Sequence, residues 1–131
     1  MNVRVLALAG AAAAFFSSAA LADDPMATTY ANTITTKDRA SGVSSTLLFN
    51  ADMSYTAKTT GANGQPFAYS GTWMLKDGGK TICLSPIPPA GSTAAPPAPS
   101  CSPLVSHNVG DSWTVTTDQN LTYDVSLTAG R

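Results

Sequence analysis

The sequence predicts an all-β domain: a small antiparallel meander of seven or eight strands, barrel-like or rolled, preceded by a helical signal peptide. Three observations predict it. Beyond residue 22 no stretch sustains an apolar period of 3.6, whereas several alternate with period two. Thr, Val, Ile, Tyr and Trp supply strand-forming composition. Turn formers (Asn50-Ala51-Asp52, Asn63-Gly64, Asp77-Gly78-Gly79, Asp118-Gln119-Asn120) punctuate the chain at short intervals. With no helix to cover an open sheet, closure into a barrel removes edges that a sandwich would have to manage.

The first element is the leader. Met1-Asn2-Val3-Arg4 carries one positive charge, residues 5–16 form an apolar run, and Ala20-Leu21-Ala22 precedes Asp23-Asp24-Pro25. These are the three regions of a secretory signal peptide, and the expected cut falls after Ala22. The apolar run is too short to cross a bilayer core of ~30 Å as a helix. No cysteine lies near the cut, so no stable membrane anchor is expected after signal removal. The short, Ala-rich leader reads as bacterial, which places residues 23–131, a single domain, in the periplasm or outside the cell.

Residues 23–28 read as a loose arm. Tyr30, Asn32 and Ile34 begin a first strand that runs out at Lys37-Asp38-Arg39. Val43, Ser45, Leu47 and Phe49 share one face of a second strand, and Met53, Tyr55 and Ala57 one face of a third. The clearest alternation follows: Phe67, Tyr69, Gly71, Trp73 and Leu75 on one face, Ala68, Ser70, Thr72, Met74 and Lys76 on the other. Gly71, mid-strand on the inner face, marks a bend or the close approach of another group. Ile82 and Leu84 point inward from the next strand. Residues 86–100 are a Pro-rich loop, followed by a short strand that Pro103 confines to an edge. The last hairpin pairs Trp113, Val115 and Thr117 with Leu121, Tyr123, Val125 and Leu127. The expected core is Tyr30, Ile34, Val43, Leu47, Phe49, Met53, Tyr55, Phe67, Tyr69, Trp73, Leu75, Ile82, Leu84, Trp113, Val115, Leu121, Tyr123, Val125 and Leu127.

Cys83 and Cys101 are the only cysteines, so a disulfide has one possible connectivity. In an exported chain it would close a loop worth roughly 3 kcal/mol. The alternative is a metal or redox pair, but there is no Cys-x-x-Cys, and His107 is the single histidine. No metal site and no cofactor are expected. A Ser-His-Asp arrangement is formally available, yet no Gly-x-Ser-x-Gly elbow occurs and His107 reads as an exposed loop residue. The eight acids are all aspartates, mostly at turns, where aspartate bonds its own backbone. The chain therefore does not read as an enzyme. Against them stand seven Lys and Arg. That sparse, balanced charge offers neither a nucleic-acid-binding patch nor a polybasic membrane motif.

Gly71-Thr72-Trp73, Cys83-Leu84-Ser85-Pro86, Cys101, Val109-Gly110-Asp111-Ser112-Trp113 and Ala129-Gly130-Arg131 resemble small exported proteobacterial β-proteins of unassigned function. A weaker similarity is to periplasmic metalloprotease-inhibitor barrels, through Trp73-Met74-Leu75 and Cys83-Leu84. Their disulfide ties an early strand to the middle of the chain, whereas the pair here is local. The leading expectation is a non-catalytic binding module of the bacterial cell envelope, with an envelope or secreted protein as partner. The alternatives are a lipocalin-like carrier of a small apolar ligand and a protease inhibitor. Phe67, Tyr69, Trp73 and Trp113 are the candidate ligand-facing or core aromatics. A cavity lined by them would favour the carrier, and a solid interior the binding module.

Overall fold

The computed structural model describes residues 24–61, 63–93 and 95–131; the expected signal peptide, residues 1–22, lies outside them. Among the described residues, eight strands form one antiparallel sheet. They are β1 (Thr33–Asp38), β2 (Ser44–Phe49), β3 (Ser54–Thr60), β4 (Pro66–Lys76), β5 (Thr81–Pro86), β6 (Ser100–Pro103), β7 (Ser112–Thr116) and β8 (Thr122–Thr128). The spatial order is β6-β5-β4-β3-β2-β1-β8-β7. Every pairing joins sequence neighbours except β1 with β8, which runs from Thr33 opposite Thr128 to Asp38 opposite Tyr123. That pairing curls the meander into a nearly closed barrel. The free edges of β6 and β7 meet through Asp118, whose N–H donates to the Cys101 carbonyl at 2.9 Å while its Oδ1 accepts from the Cys101 N–H at 3.1 Å.

Period-two patterning becomes a lined interior. Ile34, Leu47, Phe49, Tyr55, Ala57, Trp73, Ile82, Val125 and Leu127 form the buried cluster, with Tyr69, Leu75, Leu84, Trp113, Val115 and Tyr123 packed against it. Gly71 faces inward opposite Tyr55, and the Tyr55 ring occupies the space a side chain would take. The Trp73 indole N–H donates to the carbonyls of Asn50 and Ser54, both at 3.1 Å. The disulfide joins Cys83 and Cys101, directly opposite each other on β5 and β6. β6 is the terminal strand, as Pro103 required.

Several expectations need correction, beginning with Val43, which precedes β2 and lies outside the core cluster. Residues 24–32 are a series of turns rather than a loose arm, and β1 begins at Thr33 instead of Tyr30. The reason is an apolar hole at that end of the barrel, which Met26 fills with 2% of its surface exposed. Asp24 caps the turn by accepting from the Met26 N–H and the Tyr30 hydroxyl. Met53 is 55% exposed, because a backbone φ of 69° in the β2–β3 turn swings its side chain outward. Phe67 is 53% exposed near the start of the eleven-residue β4. Leu121 belongs to the β7–β8 turn and is also exposed.

Candidate functional site

The barrel is hollow along part of its length. A cavity of about 370 Å³ lies between the inward faces of the strands. Its two ends differ. Where β1 begins and β2 ends, Pro25, Met26 and Thr29 cover it. That cover is tied down: the Thr28 hydroxyl donates to the His107 carbonyl at 2.7 Å, and Arg131 donates to the Tyr30 carbonyl at 2.9 Å. At the opposite end the lining passes outward through Pro86, Pro97, Ala98, Ser100, Thr117, Gln119 and Leu121. The Pro-rich loop and the β7–β8 turn thus frame the mouth, and Phe67 and Ile87 add exposed apolar surface at the same end of the strands.

The wall is mainly apolar, with Leu47, Phe49, Ile82, Trp113, Val115 and Leu127 among the side chains that line it. No Asp, Glu, Lys or Arg lines it among the described residues. Three phenols, Tyr55, Tyr69 and Tyr123, stand among these groups. Tyr55 and Tyr69 meet edge to face at 6.2 Å between ring centres. Ser45, on the same wall, shares a hydroxyl–hydroxyl bond of 2.7 Å with the buried Thr59 behind it. Burial pushes all three phenols above the ordinary tyrosine value. The neighbouring Tyr69 phenol adds to the effect at Tyr55, and Asp38 followed by Tyr69 adds to it at Tyr123. All three are therefore neutral hydroxyl groups over the physiological range.

Of the four aromatics singled out in the sequence, the structure brings Tyr69 and Trp113 to the cavity. Trp73 belongs to the packed core beneath it, and Phe67 lies outside the lining. His107 is a wall residue instead of an exposed one: its ring stacks on Trp113 at 3.6 Å and 7°, and its Nδ1 lies 3.6 Å from Asp111. Its imidazole thus extends the apolar face of Trp113. Sequence reasoning placed Tyr55 and Tyr123 in the core without marking them as site residues. The available signal was Gly71, the inward gap that admits the Tyr55 ring. Among the described residues no cluster of three metal-ligating side chains occurs, and no helix is long and apolar enough to cross a membrane.

Scans against protein-family models, characterised proteins and solved structures returned no match to this chain.

Proposed function

We propose that the protein is an exported, non-catalytic binding barrel that carries a small, uncharged, largely apolar ligand in its interior. The observation that carries this reading is the cavity of about 370 Å³ with an aromatic wall and no charged lining group. Ligand pockets span roughly 300–1,000 Å³ and are mostly apolar with a few placed polar groups. A cavity at the lower end of that range suits a compact molecule, and an ionised ligand would lose its hydration without gaining a partner. Export is supported by the N-terminal sequence pattern and by the Cys83–Cys101 disulfide, a bond that persists in oxidising compartments.

The test is titration of the purified protein with N-phenyl-1-naphthylamine, a neutral dye that brightens in apolar surroundings. Saturable brightening is expected. It should disappear in two separate variants that fill the cavity, Val115→Trp and Leu84→Phe, provided their far-ultraviolet circular dichroism matches wild type. Absence of saturable binding to wild type, or undiminished binding to both filled variants, would overturn the reading.

A further inference from the structure

Three phenols, Tyr55, Tyr69 and Tyr123, stand among the polar groups of the cavity, whose other polar side chains are those of Ser and Thr together with Gln119 and His107 nearer its ends. Tyr55 is 2% exposed overall and lines the cavity beside Tyr69. Tyr69 has the Thr59 hydroxyl within bonding reach. Thr59 in turn bonds Ser45 at 2.7 Å. A chain in which Ser45 donates to Thr59, and Thr59 to the Tyr69 oxygen, occupies the acceptor side of Tyr69 and leaves its proton unspent. A phenol is also a better donor than acceptor, because its oxygen lone pair is delocalised into the ring. Two neighbouring rings, edge to face, therefore offer O–H protons to whatever fills the cavity.

From this geometry we infer that Tyr55 and Tyr69 form a donor pair that selects a flat, neutral ligand carrying a carbonyl or ether oxygen, with the oxygen seated between the phenols and the hydrocarbon part along Trp113. The inference rests on the carrier reading and sharpens it. Size supports a ring system: an apolar cavity of ~150 Å³ accepts benzene, and this one is more than twice as large. Chemistry supports the oxygen. A phenol that donates to a ligand oxygen makes a hydrogen bond that a pure hydrocarbon cannot accept. Charge sets the limit. With no Lys or Arg in the wall among the described residues, a carboxylate would lose its hydration without a permanent cation to pair with.

The experiment compares two ligands of nearly identical shape, 2-acetylnaphthalene and 2-isopropenylnaphthalene, as displacers of N-phenyl-1-naphthylamine from the purified protein. The ketone is expected to bind roughly three- to tenfold more tightly, the range one hydrogen bond supplies. In Tyr55→Phe and Tyr69→Phe the ketone's advantage should shrink, and in the double variant vanish, while the alkene still binds saturably. Retained alkene binding together with a wild-type far-ultraviolet circular dichroism spectrum is the control that the barrel folds. Equal binding of ketone and alkene to wild type would overturn the donor pair and leave the carrier reading intact. A preference that survives both substitutions would also overturn it. If the dye itself does not bind, the carrier reading fails and the donor pair falls with it.

Discussion

Gly71 and Tyr55 face each other across β3 and β4, and the tyrosine ring lies in the space where a side chain at 71 would stand. A Cβ built on Gly71 would come within 2.5 Å of two ring carbons of Tyr55 and 2.6 Å of the Ser85 carbonyl oxygen. The glycine is therefore a steric partner of Tyr55. Gly71→Ala is expected to destabilise the fold by about 1–3 kcal/mol through overpacking. Urea unfolding measures this, and a double-mutant cycle with Tyr55→Leu should show partial non-additivity, since the smaller side chain removes the ring contacts but leaves the Ser85 carbonyl contact in place. Additive losses would contradict the pairing.

The disulfide fastens the terminal strand β6 to β5 at directly opposed positions. Replacing both cysteines by serine should lower stability by roughly 3 kcal/mol from loop closure alone. For a domain of this size the melting temperature should fall on the order of 10 °C. Scanning calorimetry of oxidised and reduced protein tests it; coincident transitions would contradict the expectation.

Met26 plugs the covered end of the cavity. Met26→Ala should cost about 2–5 kcal/mol, and the space left should lengthen the cavity. The variant is expected to gain affinity for ligands one ring longer than those wild type prefers, measured by dye displacement. An unchanged length preference would show that residues 24–32 do not bound the site.

Stability should be flat between the ordinary carboxylate and phenol values and fall outside them. On the acid side, the Ala40 N–H at Asp38, the Ser54 hydroxyl at Asp52 and the Arg39 hydrogen bond at Asp124 hold these carboxyls below 3.8. Such groups favour the native state above pH 3.8, and the benefit is lost as pH falls through their folded values. All three are exposed, so that loss is small. On the alkaline side the sign reverses. Burial holds Tyr55, Tyr69 and Tyr123 above 10.0, and pushes Tyr30 up to about 12 with help from Asp24. The native state keeps these protons after the unfolded chain has lost them, so stability is full below pH 10.0 and declines above it. Thermal melts across pH measure the plateau; Tyr55→Phe should make the alkaline decline shallower, and an unchanged slope would contradict this.

The barrel was legible in the sequence because its strands alternate strictly and Asp, Asn and Gly mark their turns. The disulfide was legible because two cysteines permit one pairing. The hollow was not. Residue type tells which side chains face inward, as for Tyr69 and Trp113, but whether they fill the interior depends on strand number and tilt. The buried turn segment was hidden for a different reason: Met26 is one apolar residue among Asp, Pro, Ala and Thr, with no period to reveal it. Met53 was misplaced because alternation was extended back into a turn whose positive φ breaks it.

Joining β1 to β8 should also order the folding steps in time. The other pairings link strands that are adjacent along the chain, so each can form after a short search. β1 must wait for a partner roughly ninety positions away, and closing so long a segment is entropically slower. Until that step the inward phenols and tryptophans stand in water. A ligand has no chamber to enter before closure. Substitutions along Thr33–Asp38 and Thr122–Thr128 that weaken this zipper should lengthen the period in which the chain is a curled ribbon open to proteases and to other ribbons like itself.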